Sequence, residues 1–163
     1  MDTVINASPL IFLGKLERLH LLNQLFDTVY VPAAVIDEIN KEANATEQLG
    51  LKNLIYEELV ITNRIAVKGL LGRLHLGEVE AIVGAVEHNI PAVILDDNAA
   101  RNKAKQFGLI VTGTLGVLLK ASKKGLIESL EQDIFRLLEV GLYVSDEIIK
   151  RILVDGKYPQ QHF

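Results

Sequence analysis

Short apolar runs separated by amphipathic segments are the main pattern of the chain. The apolar runs are rich in Val, Ile and Leu and predict buried strands, because such residues suit a pleated, buried surface. These runs are Val4–Ile5, Thr28–Val31, Leu59–Thr62, Pro91–Leu95 and Leu109–Thr112. Between them, apolar residues recur at helical spacing. Strands that alternate with helices predict an α/β fold in which a parallel sheet is flanked by helices on both faces.

The predicted helices begin and end at typical boundary residues. Ser8 is a suitable N-cap in front of Pro9, and Gly108 and Gly125 each end a helix. Residues 63–77, which contain three glycines, are predicted to form a loop. The helical segments are residues 9–16, 19–26, 33–43, 47–58, 78–88, 98–107, 114–124, 128–139 and 146–153.

We expect an α/β domain over residues 1–125 and a helical C-terminal extension over residues 126–163 that packs on the same domain. With 163 residues, 49% of them hydrophobic, the chain is long and apolar enough to form one real core. The apolar faces of the extension permit either packing on the domain or a dimer interface. These faces contain Ile134, Leu137, Leu138, Ile148, Ile149 and Ile152.

Composition excludes several functional classes. The absence of cysteine excludes disulfides, thiolate metal sites and a cysteine nucleophile. The formal charge of −4 differs from the strongly basic profile of a protein that coats DNA. No segment resembles an export signal or a membrane-spanning helix, so the expected location is the cytoplasm, without a membrane partner.

Small polar and acidic residues follow three of the predicted strands. In open α/β sheets, ligands bind at the carboxyl ends of the strands, so these residues are candidates for a functional site. They are Asn6, Ser8, Asp96, Asp97 and Thr114.

Two glutamates on predicted helices can join this edge. Glu38 lies about 60° around its helix from Val35 and borders the buried stripe, whereas Asp37 points nearly opposite. Glu78 lies near the apolar stripe of its own helix, in the first turn, where the helix dipole favours a carboxylate. Glu80 is expected on the far side of that helix.

Glu38, Glu78, Asp96 and Asp97 together would place about four negative charges at one edge, where they would repel each other. A divalent cation relieves this repulsion, and oxygen-only ligands suit Mg²⁺ or Mn²⁺. Such a cation can activate water and stabilise a phosphoryl transition state. The alternative is structural: Asp97 as an N-cap, Glu78 as a complement to the helix dipole and Glu38 as a solvated helix residue.

Four stretches of the chain resemble the PIN-domain family, and in particular the toxin ribonucleases of prokaryotic toxin–antitoxin pairs. They are V-I-N-A-S-P-L-I-F-L at residues 4–13, V-P-A-A-V-I-D-E-I at 31–39, L-G-E-V-E-A-I at 76–82 and L-D-D-N-A-A-R-N-K-A-K-Q-F-G-L-I-V-T-G-T-L-G-V-L at 95–118. The resemblance implies a PIN fold and a nuclease site that uses Mg²⁺ or Mn²⁺. It also implies an RNA substrate, an antitoxin partner and a homodimer.

The resemblance assigns roles to individual residues. The acids of the family fall on Glu38, Glu78 and the Asp96–Asp97 pair, and counting back from Gly108 makes Asp97 the better match of the pair. Ser8 matches a polar residue that orders the first acid. Thr114 lies where the family often has a polar residue near the metal.

One position departs from the family pattern. The first acid of the family, directly after the first strand, is an aspartate, and this chain has Asn6 there. An amide oxygen can still bind a cation, but it contributes no negative charge, so Mg²⁺ should bind more weakly.

Two functional hypotheses follow. In the first, the protein is a metal-dependent endoribonuclease, similar to a toxin, in which Glu38, Glu78 and Asp97 hold the metal while Asn6 and Asp96 assist. In the second, the PIN domain is catalytically degenerate and binds RNA or a protein partner. The basic residues that would contact an RNA backbone, unless they only form a solvated helix face, are Arg101, Lys103 and Lys105, with Lys120, Lys123 and Lys124.

Overall fold

The computed structural model describes residues 1–42 and 50–157, and five strands in these ranges form one parallel sheet. The order of the strands in the sheet is β3-β2-β1-β4-β5. The strands are β1 (Thr3–Ile5), β2 (Val29–Pro32), β3 (Glu57–Leu59), β4 (Ala92–Ile94) and β5 (Ile110–Thr112). The predicted α/β fold with a parallel sheet is therefore confirmed.

Helices pack against both faces of the sheet, and none in the described ranges is long and apolar enough to cross a membrane. They are α1 (Ala7–Lys15), α2 (His20–Leu25), α3 (Ala33–Glu42), α4 (Arg64–Leu70), α5 (Leu76–Glu87), α6 (Asn98–Gln106), α7 (Thr114–Lys123), α8 (Leu130–Glu139) and α9 (Asp146–Lys157).

Successive strand residues contribute to two separate cores. Ile5 and Ile94 pack with α1, α2, α3, α7, α8 and α9, whereas their neighbours Val4 and Val93 pack with α4, α5 and α6. This alternation follows from the pleat, which directs successive side chains to opposite faces. Because helices cover both faces, every residue of the central strands β1 and β4 is buried.

Two segments differ from the predicted elements. Residues 64–70, predicted as a loop, form α4, whose N-cap Asn63 accepts a hydrogen bond from the N–H of Ala66 at 3.1 Å. Glu57 and Glu58, at the end of a predicted helix, lie in β3. Because β3 is an edge strand, its outward side chains are exposed, and its two glutamates mask the apolar pattern. Residues 47–49 of the same predicted helix, and residue 43 at the end of the predicted helix 33–43, lie outside the described ranges.

The C-terminal helices continue the core of the domain. Ile134, Leu137 and Ile152 are buried in the cluster that contains α1 and α7, and Leu138 and Ile149 pack against that cluster while partly buried. Their apolar faces therefore pack on the domain in this structure. Ile148 is 43% exposed. The boundary at residue 125 between domain and extension stays a prediction.

A buried ion pair ties α8 to the turn after α1. Arg18 donates from Nε and Nη2 to the two oxygens of Asp133, at 2.9 and 3.1 Å. The side chain of Asp133 is only 4% exposed, and the hydrogen bond to it raises the pKa of Arg18. Arg136 adds a hydrogen bond to the carbonyl of Leu16. These contacts hold the C-terminal helices against the start of the chain.

Replacing Arg18 by Met should lower the free energy of unfolding by about 2 kcal/mol, because Asp133 would stay buried without its main partner. Urea unfolding followed by circular dichroism measures this. The control is Arg73→Met at an exposed position, which should change stability by less than about 0.5 kcal/mol. Equal urea midpoints for the two variants would show that the ion pair does not hold α8.

Candidate functional site

The order of the strands reverses between β1 and β4, at the centre of the sheet. From β1 the chain moves outward through β2 to β3, and it then returns to β4 on the other side of β1. Such a reversal opens a crevice at the carboxyl ends of the two central strands. Asn6 follows β1 directly and donates its N–H to the carbonyl of Ile94 in β4, at 3.2 Å. Asp96 lies just beyond the end of β4, so two predicted site residues flank this crevice.

Asn6 and Glu38 converge on the space above Gly77. Asn6 is 6% exposed, and its buried Oδ1 has no hydrogen-bond partner among the residues that the structure describes. A Cβ on Gly77 would lie 3.0 Å from this oxygen and 3.2 Å from Oε2 of Glu38. Only a residue without a side chain keeps this space open. A buried oxygen without a donor is unfavourable, so the pair is suited to a cation or a donor group.

Asp96 is held by the two residues predicted to support the acids. Its oxygens accept hydrogen bonds from the N–H of Thr114 at 2.7 Å and from the hydroxyl of Thr114 at 2.6 Å. Ser8 Oγ donates from 3.5 Å. Thr114 begins α7, and the positive end of a helix dipole favours a carboxylate. Asp96 is therefore fixed with a defined orientation at the crevice.

Asp97 occupies a different position from its neighbour. It is exposed, and its Oδ2 accepts a hydrogen bond from the N–H of Ala100 at 2.9 Å as the N-cap of α6. Counting back from Gly108 favours Asp97 as the matching acid, but the structure places Asp96 against Ser8 and Thr114.

Glu78 is buried in the first turn of α5, next to Gly77. Its Oε2 accepts a hydrogen bond from the N–H of His75 at 3.0 Å, which satisfies a donor at the start of the helix. Within residues 1–42 and 50–157, no three histidine, cysteine, aspartate or glutamate side chains form a group that could hold a metal ion. The structure thus brings Asn6 and Glu38 together but does not gather the four acids into one cluster.

Glu80 is a buried carboxylate whose ion pair the sequence pattern does not predict. It is 5% exposed, and its oxygens accept hydrogen bonds from the N–H of Ala34 at 3.2 Å and from Nη1 of Arg64 at 3.0 Å. Glu80 is expected on the far side of α5 from its apolar stripe, and it is buried there because α4 forms where a loop is predicted and packs on α5. The sequence does contain a signal for the burial of Glu80, because α5 is apolar on nearly all sides, and this is typical of a fully buried helix.

Arg101 is the predicted basic residue that the structure places beside Asp96. Its Nη1 donates to the carbonyl of Leu95 at 2.9 Å. A Cβ on Gly113 would lie 2.8 Å from this nitrogen and 3.0 Å from Oδ1 of Asp96. Positive charge therefore lies at the rim of the crevice.

The other predicted basic residues are less closely tied to the crevice. Lys103 donates to Gln106 at 3.0 Å, and Lys105 is exposed on α6. Burial, with a smaller effect of Lys124, lowers the pKa of Lys120, whose Nζ lies 5.4 Å from the centre of the Phe26 ring. Lys120 thus packs against the core rather than presenting its charge to solvent.

Lys123 and Lys124 are exposed at the end of α7 opposite Thr114. At 1.5 Å per residue, the length of α7 separates them from the crevice by roughly 13 Å along the helix.

The sequence of the chain matches the PIN-domain family over residues 2–157, and the chain belongs to this family. PIN domains have a nuclease-type fold. The structure is similar to that of a PilT N-terminus domain protein from the hyperthermophilic archaeon Sulfolobus solfataricus P2, with 23% sequence identity and a TM-score of 0.54. The similarity covers 74% of this chain and 93% of the archaeal one, and it supports the fold. No curated protein matches the chain.

The N-cap geometry of Asp97 leads to a test of its structural role. Asp97→Ala should lower the free energy of unfolding by about 1 kcal/mol, whereas Asp97→Ser keeps a capping oxygen and should recover most of that loss. Chemical denaturation of both variants measures this difference. Equal stability of the Ala and Ser variants would contradict the capping role.

Proposed function

We propose that the protein is a divalent-metal-dependent endoribonuclease whose cation site lies between Asn6, Glu38 and Asp96. The observation that carries the proposal is the buried Oδ1 of Asn6, which has no hydrogen-bond partner within residues 1–42 and 50–157 and faces the same space above Gly77 as Oε2 of Glu38. Glu78 and Asp97, at the starts of α5 and α6, would assist as nearby negative charges.

These residues fit Mg²⁺ or Mn²⁺ by their chemistry. Mg²⁺ is usually held by one or two carboxylates and several waters, so a compact group of three acids is not required. Glu38 and Asp96 offer carboxylates, and Asn6 offers a neutral oxygen in a desolvated position. Asn6 replaces the charge of the usual aspartate with a dipole, so the affinity for the cation should be low.

A bound divalent cation would supply Lewis acidity toward the phosphodiester. Several residues of the chain would have defined roles around the cation. Ser8 and Thr114 hold the orientation of Asp96, and Thr114 does so through both its N–H and its hydroxyl. Arg101, fixed on the carbonyl of Leu95, offers a guanidinium at the rim for a backbone phosphate.

The same proposal has four further parts. They are RNA as the substrate, a toxin-like role with an antitoxin partner, a homodimer and a cytoplasmic location. They are supported by the four sequence stretches that resemble toxin ribonucleases and by the membership in the PIN-domain family. The nuclease-type fold supports the choice of a nucleic acid as substrate.

The second candidate function is a catalytically degenerate PIN domain that binds RNA or a protein. Two observations favour it: the position of the first acid of the family holds Asn6, and the described residues contain no group of three acids at the site.

The first test is cleavage of labelled single-stranded RNA with Mn²⁺. We expect cleavage by the wild-type protein and a fall of about 100-fold or more in Asp96→Asn, which loses a charge at the proposed cation. Gly77→Ala should lower the rate comparably, because its methyl group would fill the space between Asn6 and Glu38. The methyl group would also crowd Cγ2 of Val35, 3.3 Å from the new Cβ, so thermal unfolding of Gly77→Ala is measured alongside to separate a loss of cleavage from a loss of folding.

The control for this test is Asp37→Asn, which removes an exposed carboxylate from α3 and should cleave at the wild-type rate. Cleavage only by Asn6→Asp, with none by the wild-type protein, would support the degenerate domain. No cleavage by any variant, Asn6→Asp included, would contradict the assignment as a nuclease.

The second test concerns the RNA backbone contact. RNA binding is measured with Asp96→Asn, the variant in which cleavage is expected to fall, and the affinity should weaken as the salt concentration rises. The double variant with Arg101→Gln should show a slope of log K against log salt that is smaller by about 1. Fluorescence anisotropy at several salt concentrations measures the slope. The matched control, Lys124→Gln, removes a charge at the far end of α7. A slope that Arg101→Gln leaves unchanged would rule out the proposed phosphate contact.

A further inference from the structure

Glu80 connects three helices at the carboxyl edge of the sheet. It lies on α5, its Oε1 accepts the N–H of Ala34 in α3, and its Oε2 accepts Nη1 of Arg64 in α4. The carboxylate is 6% exposed while the Arg64 side chain is 52% exposed. A buried carboxylate needs such partners to stay charged, so the three helices are held in one arrangement.

Two of these helices carry the groups that meet above Gly77. Ala34 lies four residues before Glu38, so both residues lie on the same side of α3, one turn apart. Gly77 lies three residues before Glu80 on α5. The hydrogen bond from Ala34 to Glu80 therefore fixes the start of α3 against α5, one helical turn from the place where Glu38 faces Gly77.

We propose that Glu80, with Arg64 as its counter-ion, is a positioning residue that holds Glu38 over Gly77 in the geometry that binds the cation. This inference rests on the proposed function, because it assigns Glu38 to the cation. Glu80 itself acts through the backbone of α3 and does not touch the space above Gly77.

The charge of Glu80 can be removed with little change of shape. In Glu80→Gln, one acceptor oxygen becomes an NH₂ donor, so the one remaining oxygen must serve two donors, the N–H of Ala34 and Nη1 of Arg64. The variant should therefore loosen α4 and the start of α3 without creating a cavity.

The chain offers a matched control on the opposite face of the sheet. Asp133 is also a buried carboxylate, 4% exposed, and it binds Arg18 at 2.9 Å, as Glu80 binds Arg64 at 3.0 Å. Asp133 packs in the core of α1, α7 and α8, which does not include α5. Asp133→Asn removes the same kind of ion pair and leaves the contact between Ala34 and Glu80 in place.

The experiment measures Mn²⁺ binding by isothermal titration calorimetry on the full chain, alongside thermal unfolding without metal. We expect Glu80→Gln to weaken Mn²⁺ binding by about tenfold or more, as is usual for residues that orient metal ligands. Asp133→Asn should lower Tm yet bind Mn²⁺ within about twofold of wild type. If Glu80→Gln does not fold, Arg64→Met provides the same test from an exposed position.

The outcomes separate this inference from the proposed function. If wild type binds Mn²⁺ and the variant at position 80 or 64 binds it equally well, the positioning role is overturned while the cation site stands. Equal weakening by Asp133→Asn would assign the effect to general stability and would also overturn the role. If wild type binds no Mn²⁺ at all, the cation site fails, and the positioning role fails with it.

Discussion

The site depends on one contact, the close approach of α5 to the carboxyl end of β1 and to the side of α3 that carries Glu38. It occurs at Gly77, where the absence of a side chain leaves room between the oxygens of Asn6 and Glu38. The residues of α5 from Gly77 to Ala85 are all buried, because the sheet, α3, α4 and α6 all pack on this helix. A helix so enclosed cannot place its carboxylates in water, so Glu78 and Glu80 must find donors within the protein.

The sequence predicts much of the fold because the fold follows from local patterns. Apolar runs mark the strands, and Ser8, Asp96 and Thr114 can be predicted to meet because all three follow strands whose carboxyl ends share an edge. The structure brings these three together. The helical faces of Glu38 and Glu78 are also predictable from the spacing of the buried residues around them.

The remaining features depend on tertiary contacts that no local pattern reveals. Helix α4 has one fully buried apolar side chain, Val67, so its amphipathic signal is weak. Without α4, the ion pair of Glu80 with Arg64 cannot be predicted. The difference between Asp96 and Asp97 is likewise tertiary, because it depends on where α7 begins relative to β4. Nor does the formal charge of −4 indicate that two of the acids, Glu80 and Asp133, are buried and paired with arginines that reach the surface.

The central claim is that Asn6 and Glu38 bind a divalent cation despite the missing aspartate. The most direct measurement is a crystal structure of the protein soaked in Mn²⁺, with anomalous diffraction to locate the metal. If Asn6 and Glu38 hold the cation, an anomalous peak will lie in the space above Gly77, within about 2.0–2.3 Å of Asn6 Oδ1 and a carboxylate oxygen of Glu38. A peak that contacts only other acids, or no peak at this edge of the sheet at high Mn²⁺ concentration, would contradict the central claim.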